Sequence, residues 1–135
     1  MSEPPPQKLP PEVWVVVPAY NEAARLAATL VATSVVVVDD GSPDDTARVA
    51  AQYPVWVLRH VVNLGQGAAI QTGSTFSLRQ GAEYVATFDA DGQHVPGDLT
   101  RLLRALRENH ADYALGSRFL GRAEGIPWTR KLMLK

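Results

Sequence analysis

Two aspartates one residue apart, Asp89 and Asp91, end the apolar run YVATFD (84–89) and its turn; Gly92 and Gln93 follow. Carboxylates this close repel each other, and a shared divalent cation relieves the repulsion. Gln93 could add an amide oxygen. Hard oxygen donors of this kind suit magnesium or manganese, and magnesium commonly binds substrate phosphates alongside its protein ligands. A merely solvated acidic loop has the same composition, so a lone D-x-D does not decide between the two readings. Its place in the fold has to.

A second acid pair, Asp39 and Asp40, follows four consecutive valines and precedes Gly41 and Ser42. On one reading a carboxylate shapes the turn with Gly41 and helps start a helix. On the other it accepts a hydrogen bond from the ring N–H of a base. Both readings stand. The segment PAYNE (18–22) sets Tyr20 where its ring can cover a flat base, with Glu22 near a sugar hydroxyl or the base edge. Alternatively it is a plain strand-to-helix loop with Asn21 or Glu22 near the helix start. NLGQGAAIQTG (63–73) opens a helix whose free N–H groups can face an anion. It matches neither the phosphate-binding P-loop nor the dinucleotide fingerprint, and its small residues also permit close helix packing. His60, His94 and His110 share no metal-ligand spacing. No G-x-S-x-G elbow is present, which argues against an α/β-hydrolase.

The elements that must position these residues are legible from periodicity. VWVVV (13–17), SVVVVD (34–39), VWVLR (55–59) and YVATFD (84–89) are continuous apolar runs, as expected of strands covered on both faces. DYALGS (112–117) is a weaker fifth candidate. Between them lie helical patterns. Residues 22–32 are rich in alanine and leucine. In the segment after Gly41, Ser42 suits a cap, Pro43 a first helical position and Asp45 the first turn. Residues 67–80 read as a helix weakened by Gly73. Residues 96–109 carry Leu99, Leu102, Leu103 and Leu106 on one stripe. Alternating strands and helices predict an α/β fold: a doubly wound, mostly parallel sheet with helices on both faces. In such sheets ligands bind outside the carboxyl ends of the strands. Every polar or glycine-rich segment named above falls at one of those ends.

The chain has 135 residues and a formal net charge of −1, with 46% apolar and 20% charged residues. That is ordinary for a globular domain and offers no basic excess for nucleic acid. There is no cysteine, hence no disulfide, which is compatible with the cytosol. No apolar run is long enough to span a bilayer, and the N-terminus lacks signal-peptide character. Five prolines in the first eleven residues make residues 1–12 an expected flexible arm.

In their order, VVVPAYNEAARLAATL, VVVVDDGSPDDT, NLGQGAAIQTG and ATFDADGQHVPGDL resemble glycosyltransferase family 2, with its GT-A fold, over roughly residues 13–135. DADGQHVP followed by GSRFLGRAEGIPWTRKLM is similar to the dolichyl-phosphate mannose synthases and polyprenyl-phosphate glycosyltransferases. The resemblance implies an inverting, metal-dependent hexosyltransferase using a nucleotide diphosphate sugar of the UDP-glucose or GDP-mannose type. It implies a polyprenyl-phosphate acceptor at the cytoplasmic face of a membrane. Pro18, Tyr20, Glu22, Val38 and Asp40 would line the nucleotide pocket. Asp89, Ala90 and Asp91 would meet the sugar nucleotide. Asp89, Asp91 and Gln93 would hold magnesium or manganese. Arg118 and Arg130 would lie near the phosphates, including the acceptor's, and Asp89, Asp91 and Arg118 would carry catalysis.

Three features depart from the family pattern. Gln66 stands where a basic residue is usual, and only Ala32, Thr33 and Ser34 separate the first helix from the second strand. The chain also stops at Lys135, so residues 13–135 are expected to be the nucleotide-sugar-binding portion of a domain truncated at its C-terminus. Two alternatives stay open: a family relative acting on a saccharide or protein hydroxyl, and a non-catalytic nucleotide-sugar-binding fragment. A nucleotidyltransferase is disfavoured because PAYNE lacks a glycine-rich basic loop.

Overall fold

The computed structural model describes residues 10–23, 34–88 and 96–115. The chain divides into two compact units, Met1–Thr100 and Arg101–Lys135. The first holds a four-stranded sheet built from β1 (Val13–Ala19), β2 (Val35–Asp39), β3 (Trp56–Arg59) and β4 (Tyr84–Thr87), in the order β3-β2-β1-β4. All pairings are parallel, with Val15 opposite Val35, Val36 opposite Trp56 and Val13 opposite Tyr84. The expected α/β fold is therefore present. The apolar runs are fully enclosed only in β1 and β2, at the sheet's centre, where valines 15–17 and 35–38 are at most 2% exposed. β3 and β4 flank them and are partly exposed.

The helices follow from the connections. α1 (Thr46–Ala50) joins β2 to β3 and lies alongside both. α2 (Gln66–Arg79) must carry the chain back from β3 to β4, across β2 and β1. The right-handed crossover rule puts it on the face opposite α1. Its inner side meets Val16, Val36 and Val38 through Ala69, and Trp14, Leu58, Phe76 and Val85 complete that layer. Phe76 meets Trp14 edge-on and Trp56 at a tilt.

Gly73 is the reason α2 can sit so close. A Cβ there would lie 2.4 Å from Cγ1 of Val16 and 3.0 Å from Cγ2 of Val38. The residue that weakens the helix locally is what seats it on the sheet.

α3 (Pro96–Glu108) runs across the boundary between the units. Its leucine stripe is as expected, with Leu99 and Leu103 buried and Leu102 and Leu106 partly so, while Arg101, Arg104 and Arg107 are exposed.

Two sequence expectations are corrected. The helix after β2 does not start at Ser42–Pro43 but at Thr46, because Ser42 is already committed. Its N–H donates to Asp39, and its hydroxyl accepts from the N–H of Asn21, so residues 42–45 form a turn. The fifth strand is absent over 112–115. Tyr113 and Leu115 are each 75% exposed, so no covered face holds that stretch extended in a sheet. The proline-rich arm up to residue 9, residues 24–32 of the helix expected over 22–32, and Thr33 of the short connection after it lie outside the described residues.

Candidate functional site

The strand order reverses between β1 and β4, since β1 leads to β2 and β3 on one side and β4 pairs on the other. Ligands of open α/β sheets bind at the carboxyl end of such a switch point. The turns leaving β1 and β2 are bound together there. The N–H of Asp40 donates to the carbonyl of Ala19 (2.9 Å). The N–H groups of Asn21 and Glu22 donate to the hydroxyls of Ser42 (3.0 Å) and Thr46 (3.1 Å). Asn21 accepts a positive φ of 54° to make this fit, a conformation asparagine tolerates better than most residues. Tyr20, 45% exposed, is left at the surface of this edge.

The two acids after β2 have different tasks. Asp39 is fully buried. Its Oδ1 accepts the N–H of Ser42 at 3.0 Å and so closes the turn. Its Oδ2 lies 3.2 Å from Nε of Arg59, but not in hydrogen-bond alignment. The contact is an ion pair only, and the Arg59 guanidinium donates instead to the Ser42 carbonyl. The turn-forming role weighed for this pair thus falls to Asp39.

Asp40 is 3% exposed and organises the loop that follows β3. Its Oδ1 accepts from the N–H of Leu64 (2.9 Å), and its Oδ2 accepts from the N–H of Gly65 (2.8 Å). Nδ1 of His60 lies 2.7 Å from the same Oδ1. Burial pushes the Asp40 carboxyl up, but the Leu64 N–H, the His60 ring and the Gly65 N–H outweigh it and hold the group below its ordinary value. The anion facing the start of α2 is therefore the chain's own aspartate, placed where the helix dipole favours it. Gly41, at φ 71°, completes the seat: a Cβ on it would lie 2.5 Å from the backbone carbon of Val62. The loop it supports exposes Val61, Val62 and Leu64.

Among the expected nucleotide-pocket residues, Pro18, Tyr20, Glu22, Val38 and Asp40 all fall on this carboxyl edge, with Pro18 opposite Val38 in register. The Val38 side chain is wholly inside the core under α2, so only its main chain is near the edge. Sequence reasoning passed over His60 and Thr72. The available signal was the parallel register, which places Asp39 opposite Arg59 and so brings the next residues, Asp40 and His60, side by side.

Asp89, Ala90, Asp91, Gln93, Arg118 and Arg130 lie outside the described residues. The chain is described up to the residue before Asp89: Phe88 is buried and its N–H donates to the Val16 carbonyl at 2.9 Å, which continues the β4 pairing. Among the described residues no three acidic, histidine or cysteine side chains cluster to hold a metal. Asp89, Asp91 and Gln93 lie outside them, and two carboxylates with an amide are a donor set that fits a hard divalent cation. A cavity of about 370 Å³ at the opposite edge, between Trp14, Pro54 and Trp56, has no charged residue in its lining and does not compete for that role.

Comparison with known proteins gives a consistent result. The family model described as Glycosyl transferase family 2 matches residues 14–134. Polyprenol monophosphomannose synthase of Mycolicibacterium smegmatis is 35% identical over 90% of this chain and 51% of its own length. A UDP-N-acetylglucosamine–dolichyl-phosphate N-acetylglucosaminyltransferase of Methanococcus voltae is 28% identical over 89% of this chain and 58% of its own. The solved mannosyltransferase PcManGT of Pyrobaculum calidifontis, in complex with GDP-Man and Mn2+, superposes with a TM-score of 0.56 at 28% identity, over 77% of this chain and 34% of that one. The chain spans about half the length of the curated relatives it matches.

Proposed function

The chain belongs to glycosyl transferase family 2, and from that premise we propose that it is the donor-binding portion of an inverting, metal-dependent hexosyltransferase acting on a polyprenyl phosphate. The observation that carries this reading is the convergence at the switch point. The segment after β2 that carries Asp40, the turn after β1 that carries Tyr20, and Phe88, the residue before Asp89, leave neighbouring parallel strands at the same edge.

The residues have separable tasks. Tyr20 covers the base and Asp40 accepts its N–H, while Glu22 lies toward the ribose. Asp89 and Asp91, with Gln93, hold a magnesium or manganese ion against the donor's diphosphate. The chemistry supplied by a bound divalent cation is neutralisation of the charge that grows on the departing diphosphate. Arg118 and Arg130 bring the acceptor phosphate to an anionic donor, a task for which the guanidinium fork is suited. A phosphate acceptor is already ionised near neutrality and needs no general base; a hydroxyl acceptor would. The activities for which these relatives are named support the lipid-phosphate class, and they include transfer of both mannose and N-acetylglucosamine. Because the acceptor is a lipid, the reaction belongs at a membrane surface. Among the described residues no helix is long and apolar enough to cross one.

The test is transfer of labelled sugar from GDP-mannose or UDP-glucose to a polyprenyl phosphate in detergent, with and without manganese. Formation of a lipid-phosphate sugar of inverted anomeric configuration, lost on chelation, is expected. Transfer to saccharide hydroxyls only, or metal-independent transfer, contradicts the reading.

A further inference from the structure

We propose that His60 is the positioning residue of the base pocket: it holds the Asp40 carboxylate and the loop 61–65 in an arrangement that leaves one acceptor position for a nucleobase N–H. The proposal rests on the donor-site reading above and adds to it a residue that no motif singles out.

A carboxylate offers about four lone-pair positions. At Asp40 two on Oδ1 are filled, by the Leu64 N–H and His60, and one on Oδ2 is filled by the Gly65 N–H. Among the described residues no donor fills the second position on Oδ2, in a side chain 4% exposed at the edge where Tyr20 emerges. An ionised carboxylate only accepts, so Nδ1 of His60 carries the proton that it donates. In the neutral ring Nε2 is then an acceptor, and the Thr72 hydroxyl lies 2.9 Å from it. The imidazole is pinned at both ends, between a residue following β2 and a residue within α2, while itself following β3.

The consequence is directional. Without His60, Oδ1 loses one of its two donors, and the carboxylate is held by the Leu64 and Gly65 N–H groups alone. These two bonds fix its rotamer less tightly than three, and with it the position offered to the base. A single remaining acceptor also means that the base is read through one ring N–H, as in the imide of a pyrimidine or N1 of a guanine. A two-pronged clamp on this carboxylate would require His60 or the loop to withdraw.

The effect should fall on the base and not on the diphosphate, which separates positioning from general loosening of the fold. Calorimetric titration with manganese UDP, manganese GDP and manganese pyrophosphate makes the separation, using the wild-type chain, His60→Ala, His60→Asn and Thr72→Val. Asparagine places an amide N–H close to where Nδ1 stands. His60→Ala is expected to lose about tenfold to a hundredfold in affinity for whichever nucleotide the wild type binds, the range for one charge-assisted hydrogen bond. Pyrophosphate affinity is expected to stay within about twofold. His60→Asn should recover to within about threefold of wild type, and Thr72→Val should fall between the two. Wild-type nucleotide affinity in His60→Ala, or an equal loss for pyrophosphate, overturns the proposal alone. Wild type that binds neither nucleotide overturns the donor-site reading, and the proposal with it. Should His60→Ala not fold, a loss beyond about tenfold in folded His60→Asn overturns the proposal.

Discussion

Gly73→Ala and Gly67→Ala change the same helix by the same methyl group, and the structure predicts opposite signs. Each replacement removes a glycine from a helical position, which by itself stabilises by about 0.5–1 kcal/mol. At Gly67 nothing lies within 4 Å of the new Cβ, so that gain should appear undiminished. At Gly73 the new Cβ would lie 2.4 Å from Cγ1 of Val16, where carbon atoms pack at about 3.5–4.0 Å. More than about 1 Å must be absorbed by Val16, a fully buried β-branched residue with little rotamer freedom, or by moving α2 off the sheet. Overpacking of this kind costs about 1–3 kcal/mol. The clash is severe enough to place it at the upper end, and the helix gain offsets about 1 kcal/mol, leaving a net loss of about 2 kcal/mol. With a urea m-value of about 1.5–2 kcal/mol/M, the midpoint should fall by about 1 M for Gly73→Ala and rise by about 0.3–0.5 M for Gly67→Ala. Urea unfolding followed by tryptophan fluorescence reads both, because Trp14 and Trp56 pack around Phe76 of α2. A Gly73→Ala midpoint equal to or above wild type, at unchanged m, refutes the packing argument.

Three further outcomes are expected. Gly41→Ala should lose about 2 kcal/mol or more in the same assay, since it combines a left-handed backbone with a contact against Val62; an unchanged midpoint contradicts this. Asp40 and Asp44 both titrate below the ordinary 3.8, Asp40 for the reasons given above and Asp44 chiefly through the Thr46 hydroxyl. The unfolded chain then takes up these protons more readily, so their stabilisation is present at neutral pH and lost as pH falls below 3.8 through the folded values; Asp40→Asn should flatten the acid limb of the urea midpoint, and an unaltered limb argues otherwise. Donor nucleotide with manganese should raise the melting temperature by mass action, by the equivalent of about 2.7 kcal/mol at a hundredfold excess over Kd, and Asp91→Asn should abolish the manganese-dependent part; a full shift in that variant places the ion elsewhere.

The sheet was legible because its signal is local: four apolar runs at strand length, each ending in polar or glycine-rich residues, define parallel strands and their functional edge. The leucine stripe of α3 was legible for the same reason. What local pattern could not supply was the pairing of distant residues. Ser42 looked like a helix cap until Asn21, 21 residues away, took its hydroxyl, and the helix started later. Gly73 looked like a defect because its partners, Val16 and Val38, lie on strands far from it in sequence. His60 carried no motif, and its meaning arises only when the β2–β3 register sets it beside Asp40, 20 residues earlier. Tyr113 and Leu115 had the composition of a strand but found no layer to cover them.

The central claim is that a cation joins the acidic segment DADGQ (89–93) to the donor's diphosphate, beside a base held at Asp40. Anomalous diffraction at the manganese edge, from a crystal soaked with manganese and the donor nucleotide, measures this directly. The ion is expected within coordinating distance of Asp91 and the diphosphate, with one base N–H on Oδ2 of Asp40. An ion peak remote from residues 89–93, or a nucleotide bound away from the carboxyl ends of β1 and β2, would contradict the account.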